Sequence, residues 1–355
     1  MLQAFDAMDD SARLIAQVER AFLRREPLRI RGGNSKEWLG RKVDGAEIDM
    51  RAHRGIVSYD PTELVITARA GTPIADLNRA LDDANQMLPC EPPNFGSQAT
   101  IGGAVASGLS GPRRPWSGSM RDFVLGCRII SGHARHLRFG GEVMKNVAGY
   151  DMSRLLAGSF GCLGILTEVS LKVLPKPRRV ACLELKLDVT EALARLSSWR
   201  KSGLPVSGAC YTDGRLHVRI EGGEGSVRSA SDRVGGAKAD PDFWAELRDH
   251  RLPFFNDPRA LWRLSLPNNS PLYPLPGDVL IDWAGSQRWL KSEAPASAIR
   301  SIAHAAGGHA TCFSRVENVE PFHPLPEALM RFHKQLKMQL DPRGIFNPGR
   351  MYANF

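Results

Sequence analysis

The sequence predicts an α+β protein of two domains: a two-lobed, glycine-rich domain followed by a small cap of antiparallel sheet and helices. Three observations predict it. Short β-patterned runs alternate with amphipathic helical ones, which is an α+β signature. Between Pro89 and Leu174 lie 14 of the 34 glycines, set among β-branched runs. Then Pro175-Lys176-Pro177-Arg178-Arg179 interrupts the chain, and the glycine pattern stops. At 355 residues the chain is too long for one ordinary core. The expected boundaries are 1–178 for the first domain (lobes of about 1–88 and 89–178), 179–330 for the cap, and 331–355 for a segment returning to the first domain.

Asp10-Ser11 caps an expected helix with Leu14, Ile15, Val18, Ala21 and Phe22 at helical spacing, closed by Pro27. Leu28 to Ile30 reads as a short buried strand and Gly32-Gly33 as the turn after it. Leu64 to Ala68 is a second strand. Thr72-Pro73 opens another helix, whose buried face is Ile74, Leu77 and Leu81. In the second lobe, Phe123 to Leu125, Cys127 to Ile130 and Leu137 to Phe139 read as strands separated by Gly126 and by Ser131-Gly132. Ile165 to Leu174 alternates like a strand with one buried side. The cap pattern is strand (Leu183–Leu187), helix (Glu191–Arg200), strand (Leu216–Ile220) and polar helix (Ser226–Val234). A proline-rich loop spans 268–276, and Asp341 to Arg350 is a tight turn after a helix.

Composition narrows the function. Hydrophobic content of 43% and charged content of 24% are those of a soluble globular protein. No apolar run reaches the length of a membrane span, and the acidic start MLQAFDAMDD lacks a signal peptide's basic flank and apolar core. The expected location is therefore the cytoplasm. Six scattered cysteines with no CxxC pair argue against a disulfide framework and against a zinc or iron–sulfur site, so no metal site is expected. The net charge of +9 comes from dispersed arginines without an aromatic-basic signature, which speaks against nucleic acid. It suits a solvated basic surface or an acidic protein partner.

The fingerprints of the commonest nucleotide folds are absent: no GxGxxG opens a helix after a strand, and no GxxxxGK[ST] exists. Two glycine stations instead stand about seventy residues apart, Gly32-Gly33-Asn34-Ser35 and Thr100-Ile101-Gly102-Gly103-Ala104. Consecutive amides in such turns make an anion nest, and the small residues after the second station let a ring lie against the backbone. A third cluster, Gly158 to Gly164, completes a pattern suited to one extended dinucleotide held at both ends.

IRGGNSK, the run from Asp60 to Leu77, ATIGGAVASGLSG, GSFGCLGILTEVSLKVLP and DPRGIFNPG together resemble the FAD-linked oxidases of the vanillyl-alcohol oxidase family. The FAD domain of that family is of the p-cresol methylhydroxylase type. GGEVMKNVAGYDMSRLLAGSFGCLG and LIDWAGSQRWL resemble, within it, the FAD-binding E subunits of bacterial glycolate oxidases. The resemblance implies FAD wrapped at its diphosphate by Arg31, Gly32, Gly33, Asn34, Ser35, Thr100, Ile101, Gly102 and Gly103. Ser107 and Gly108 would lie near the isoalloxazine, Gly164 and Ile165 near the adenosine, and Asn347 would return to the flavin domain. It further implies a complex with a catalytic FAD subunit and an iron–sulfur subunit, attached peripherally at the inner membrane, that oxidises a small 2-hydroxy acid, glycolate to glyoxylate. A non-catalytic flavin scaffold and a stand-alone FAD-dependent reductase are the rival readings.

Two departures from the family pattern matter. Relatives with covalent FAD often place a histidine where Asn34 stands, so the flavin is expected to be non-covalent. The metal-binding GHxGDGNxH run of catalytic relatives is reduced to Ala306-Gly307-Gly308-His309-Ala310-Thr311-Cys312. The candidate catalytic side chains are Arg113, Arg114 and Arg263. A guanidinium among them would stabilise a reduced flavin, bind a substrate carboxylate, or serve only in a salt bridge. His304 and His309 read as structural, Trp262, Trp283 and Trp289 as core anchors, and Tyr150-Asp151 as either cofactor donor or loop brace.

Overall fold

A computed structural model describes residues 7–141 and 150–355. The chain divides into two units. The first takes in the residues up to Ser110, Ser119–Pro175 and Pro324–Phe355; the second is Gly111–Gly118 with Lys176–His323. The segment Gly111–Gly118, which the sequence assigns to the second lobe, thus clusters with the cap residues.

In the first unit, Ser11–Arg24 is helical and buries Leu14, Val18 and Ala21, one face of its 3.6-residue period. The Asp10 side chain makes no cap hydrogen bond; its carboxylate pairs with Arg13, and its amide donates to His53 Nδ1 at 3.0 Å. Arg25, in the left-handed region at φ 56°, ends the helix before Pro27. Leu28–Arg31 then runs parallel to Ala46–Asp49. The main sheet has five strands in the order Ile56–Asp60, Val65–Arg69, Ile165–Lys172, Val124–Ile130, His136–Gly140, all neighbours antiparallel.

Two expectations need correction here. Gly126 does not divide two strands: Val124–Ile130 is continuous, with a register shift between Val124 and Gly126. A Cβ on Gly126 would stand 2.6 Å from the Gly141 carbonyl oxygen, so the glycine permits close strand approach rather than a turn. Ile165–Lys172 is buried on both sides rather than one, because it is the central strand. Two strands, Ala46–Asp49 and Ile56–Asp60, were not anticipated.

The C-terminal segment returns after the helix Glu327–Leu340. Asp341, 2% exposed, accepts from Lys337 Nζ at 3.1 Å and from the amides of Ile345 (3.0 Å) and Phe346 (2.8 Å). That clamp fixes the following turn, so that Leu28 N–H reaches Ile345 O at 2.7 Å and Asn347 N–H reaches Leu28 O at 3.0 Å.

The second unit is built on an antiparallel sheet larger than the sequence suggested. Its order is Ala237–Lys238, Arg179–Lys186, Arg215–Gly222, Val206–Thr212, Asp278–Asp282, Gln287–Ser292, Ala260–Ser265, His309–Cys312. The helices Val189–Lys201 and Glu224–Val234 cover one half, burying Leu196, Trp199, Val227 and Val234. Ala296–Ala305 covers the other half, packing Ile299 and Ala303 against Trp262, Leu264 and Leu290.

Candidate functional site

Two clefts in the first unit meet at the glycine stations. One, of about 700 Å³, is lined by Gly32, Gly33, Asn34, Ser35, Thr100, Gly103, Ser107, Phe160 and Asn347 among others. The second, of about 470 Å³, shares Gly32, Thr100, Gly103, Phe160 and Asn347 and continues to Gly161 and Gly164.

The walls need glycine for identifiable reasons. A Cβ on Gly33 would fall 1.4 Å from the backbone carbonyl oxygen of Gln98, which shows how tightly the first station packs against the residues leading into the second. A Cβ on Gly102 would fall 2.6 Å from that of Ala70. Thr100 caps the helix Ile101–Ser107, its Oγ1 accepting from Gly103 N–H at 3.3 Å. The amides of Ile101 and Gly102 are already given to Thr72 O and Ala70 O, both at 2.9 Å. Among the described residues the amides of Gly33, Asn34 and Ser35 find no acceptor. Three consecutive N–H groups without an acceptor, in a cleft, form an anion nest. The diphosphate of FAD fits that demand, and the 100–103 station supplies surface more than donors.

Asn347 ties the cleft together. Its side chain is 6% exposed; Oδ1 accepts from Ile30 N–H at 2.8 Å, and Nδ2 donates to Phe160 O at 2.7 Å. One amide thereby joins the first strand, the Gly158–Gly164 loop and the C-terminal turn. The Asn34 side chain turns to Glu37, donating at 2.8 Å.

Other expected residues stand further off. Arg31 does not line either cleft: it pairs with Glu47 at 2.9 Å, while Arg29, Lys36 and Arg350 supply the basic lining. Sequence reasoning missed those three because nothing in their spacing marks them, although Arg350 lies in the quoted C-terminal turn. Its guanidinium donates to the carbonyls of Lys36, Glu37 and Arg41 and so shapes the first station. Gly108, at φ 63°, caps a helix beside Gly158, and Ile165 is fully buried at the start of a strand; neither lines a cleft. Of the motif from Gly140 to Gly164, residues 142–149 lie outside the described residues. Tyr150 is 97% exposed, and Asp151 caps the helix Met152–Leu156 by accepting from Arg154 N–H at 3.1 Å.

The candidate arginines fall in the second unit. Arg113 forms a two-pronged, buried ion pair with Glu221, which Arg219 also approaches at 3.2 Å. Arg114 stacks over Trp283 at 4.4 Å, and the Trp283 Nε1–H donates to Gly111 O at 3.0 Å. Arg263 lies over Phe313 at 4.9 Å and makes no ion pair among the described residues. Burial, followed by repulsion from Arg114, lowers its pKa to about 10. Burial and then Arg263 push His250 down to about 3, and burial with the same arginine lowers His309. His323 Nδ1 accepts from Ala310 N–H at 3.3 Å.

Residues 3–140 match the model of the FAD binding domain family. The glycolate oxidase subunit GlcE of Escherichia coli is 58% identical over 97% of this chain and 98% of its own length. The glycolate oxidase subunit GlcD of Bacillus subtilis is 34% identical over 40% of this chain and 30% of its own. Among solved structures, alkyldihydroxyacetonephosphate synthase shares the fold, with a TM-score of 0.68, 17% identity, and coverage of 96% of this chain and 75% of that one. The amide nest, the glycine-walled clefts and a near full-length relative lead to one assignment: the chain belongs to the FAD-linked oxidase family, with a p-cresol methylhydroxylase-type FAD-binding domain and FAD as its cofactor.

Proposed function

We propose that this chain is the FAD-carrying subunit of a glycolate oxidase complex, acting with a catalytic FAD subunit and an iron–sulfur subunit. The observation that carries the reading is the near full-length likeness to GlcE. Bound FAD supplies a two-electron acceptor for the hydride leaving the carbinol carbon of a 2-hydroxy acid. The reaction would convert a 2-hydroxy acid to its 2-oxo acid, glycolate to glyoxylate, with the electrons passed on to the iron–sulfur partner. Cluster ligands are assigned to that partner because the six cysteines here lack cluster spacing.

The chain's own residues hold and orient. Gly33, Asn34 and Ser35 offer amides to the diphosphate, Thr100, Gly102, Gly103 and Ser107 form the adjoining wall while Ile101 is turned into the core, and Asn347 locks the loops around it. Asn34 gives the flavin no nucleophile, so acid precipitation is expected to release all of the FAD. The complex would work in the cytoplasm, held at the inner membrane by partner subunits. No helix among the described residues is long and apolar enough to cross a membrane.

The shortened His309 region favours a second reading, a flavin scaffold without turnover. Anaerobic addition of glycolate to the FAD-loaded chain, alone and in the reconstituted complex, decides between them. Bleaching of this chain's flavin in either setting supports the proposal; no bleaching in both leaves the scaffold. Rapid bleaching by NADPH instead would make the chain a reductase.

A further inference from the structure

We infer that Arg263 and Gln287 form a two-point recognition site for a small 2-hydroxy carboxylate on one face of the second unit's sheet. The inference rests on the reading that the protein handles such acids, and it adds the residue that would tell a hydroxy acid from a plain one.

The register brings the groups together. Arg263 stands opposite Trp289 and Thr311, while Ser265 stands opposite Gln287 and His309. Gln287 also stands opposite Asp282. Directly opposed residues of an antiparallel pair share a face, and so do residues two apart. Arg263 and Gln287 are therefore diagonal neighbours on one face, within reach of each other's long side chains. The opposite face, with Trp262, Leu264 and Leu290, is apolar core.

Each side chain has one capability left unused. Arg263 is half-buried and keeps part of its surface open to solvent. Its Nε is buried with no acceptor. A half-buried guanidinium with no carboxylate beside it and an unpaired Nε can take an external anion. Gln287 is 3% exposed, and its Nε2 donates to Asp282 Oδ2 at 3.1 Å. A carboxylate only accepts, so the amide orientation is forced. Oε1 is then a buried acceptor with no donor. A carboxylate on Arg263 whose neighbouring hydroxyl donates to Gln287 Oε1 satisfies both. An amide oxygen does not take up the proton, so Gln287 is a positioning residue.

The test uses the full chain carrying its FAD, with glycolate and acetate titrated by calorimetry and by quenching of tryptophan fluorescence. Acetate lacks only the hydroxyl. Glycolate is expected to bind at least tenfold more tightly, because a site built around a substrate hydroxyl penalises its absence. Gln287→Met is expected to erase that preference while leaving acetate binding unchanged; Arg263→Met is expected to weaken both acids together. Equal binding of the two acids by the unaltered chain overturns the inference, as does an unchanged preference in Gln287→Met. Should Gln287→Met fail to fold, the unaltered-chain comparison decides alone. Turnover of glycolate by the complex with an unchanged KM in Arg263→Met would sink this site and leave the proposed function standing.

Discussion

The first unit offers its ligand backbone: three consecutive amides at Gly33–Ser35, walls that admit no Cβ, and one asparagine tying the loops. In the second unit the polar atoms sit at the ends of long side chains, as in Arg113 with Glu221, Arg114 on Trp283, and Arg263, a diagonal sheet neighbour of Gln287. The difference matters for mutation. A backbone cradle fails when any atom is added, because two main chains must part. A side-chain site fails by losing a partner, and its cost depends on what is left unpaired.

The sharpest way to break the first half of that contrast is Gly33→Ala. The added methyl falls 1.4 Å from the Gln98 carbonyl oxygen, so the first station must move away from the second. Local destabilisation above about 4 kcal/mol is expected, in the range reserved for severe steric or backbone effects. The purified variant should lack visible flavin absorbance even in excess FAD. Retained FAD at wild-type affinity would show that the close approach is not what the glycine is for.

Asn347→Ala probes the same unit through lost hydrogen bonds. It orphans the Ile30 N–H and the Phe160 carbonyl and leaves an alanine at φ 39°. Two unsatisfied groups and a left-handed residue together should cost about 3–5 kcal/mol. Asn347→Gly removes the backbone penalty alone, so denaturant melts of the two variants separate the contributions. Both should lose FAD affinity, with the glycine variant retaining more.

What was legible in the sequence follows the same divide. The glycine-walled clefts could be read because glycine density is a direct mark of backbone that must come close: Gly32, Gly33 and Gly103 line them, with Thr100 and Asn347 beside them. The elements with a clean period were legible too, such as Ser11–Arg24 and Ile74–Asp83. Gly126 misled because glycine inside a strand marks a bulge as readily as a turn. The second unit was harder. Gln287–Ser292 carries glutamine, arginine and lysine yet is buried along its whole length, so no alternation announces it. Two of its charged side chains are held by carbonyls far along the chain, Arg288 by Ser270 and Pro271 and Lys291 by Asp257 and Arg259, and local pattern does not encode them.

Arg113→Ala tests the second half of the contrast. Glu221 is buried, and removing its two-pronged partner strands a carboxylate. Breaking such a pair costs about 3–5 kcal/mol, and the low end is expected because Arg219 remains 3.2 Å away. FAD content should not change. Arg113→Met combined with Glu221→Gln should recover part of the loss, since the unpaired carboxylate becomes a neutral amide that can still accept from Arg219. A single variant as stable as the parent would mean the pair contributes nothing net.

The smallest effect is a titration confined to the second unit. His250 stacks on Phe255 at 4.2 Å and meets Trp289 edge-on at 4.5 Å. Burial, then the field of Arg263, lowers its folded pKa from 6.5 to about 3. As pH falls below about 6.5 the unfolded chain takes up this proton first, so stability declines with acid and the loss is complete only near the folded value. At pH 5 the share lost is about 2 kcal/mol, from 1.36 kcal/mol per unit. His250→Phe keeps an aromatic ring against Phe255 and removes the titrating group. Chemical denaturation at pH 8 and pH 5 should show the variant's pH dependence shallower by that amount, with flavin binding in the first unit unaffected. An unchanged slope would mean that the ring takes up its proton alike in the folded and unfolded chain, and that burial does not disfavour its charge.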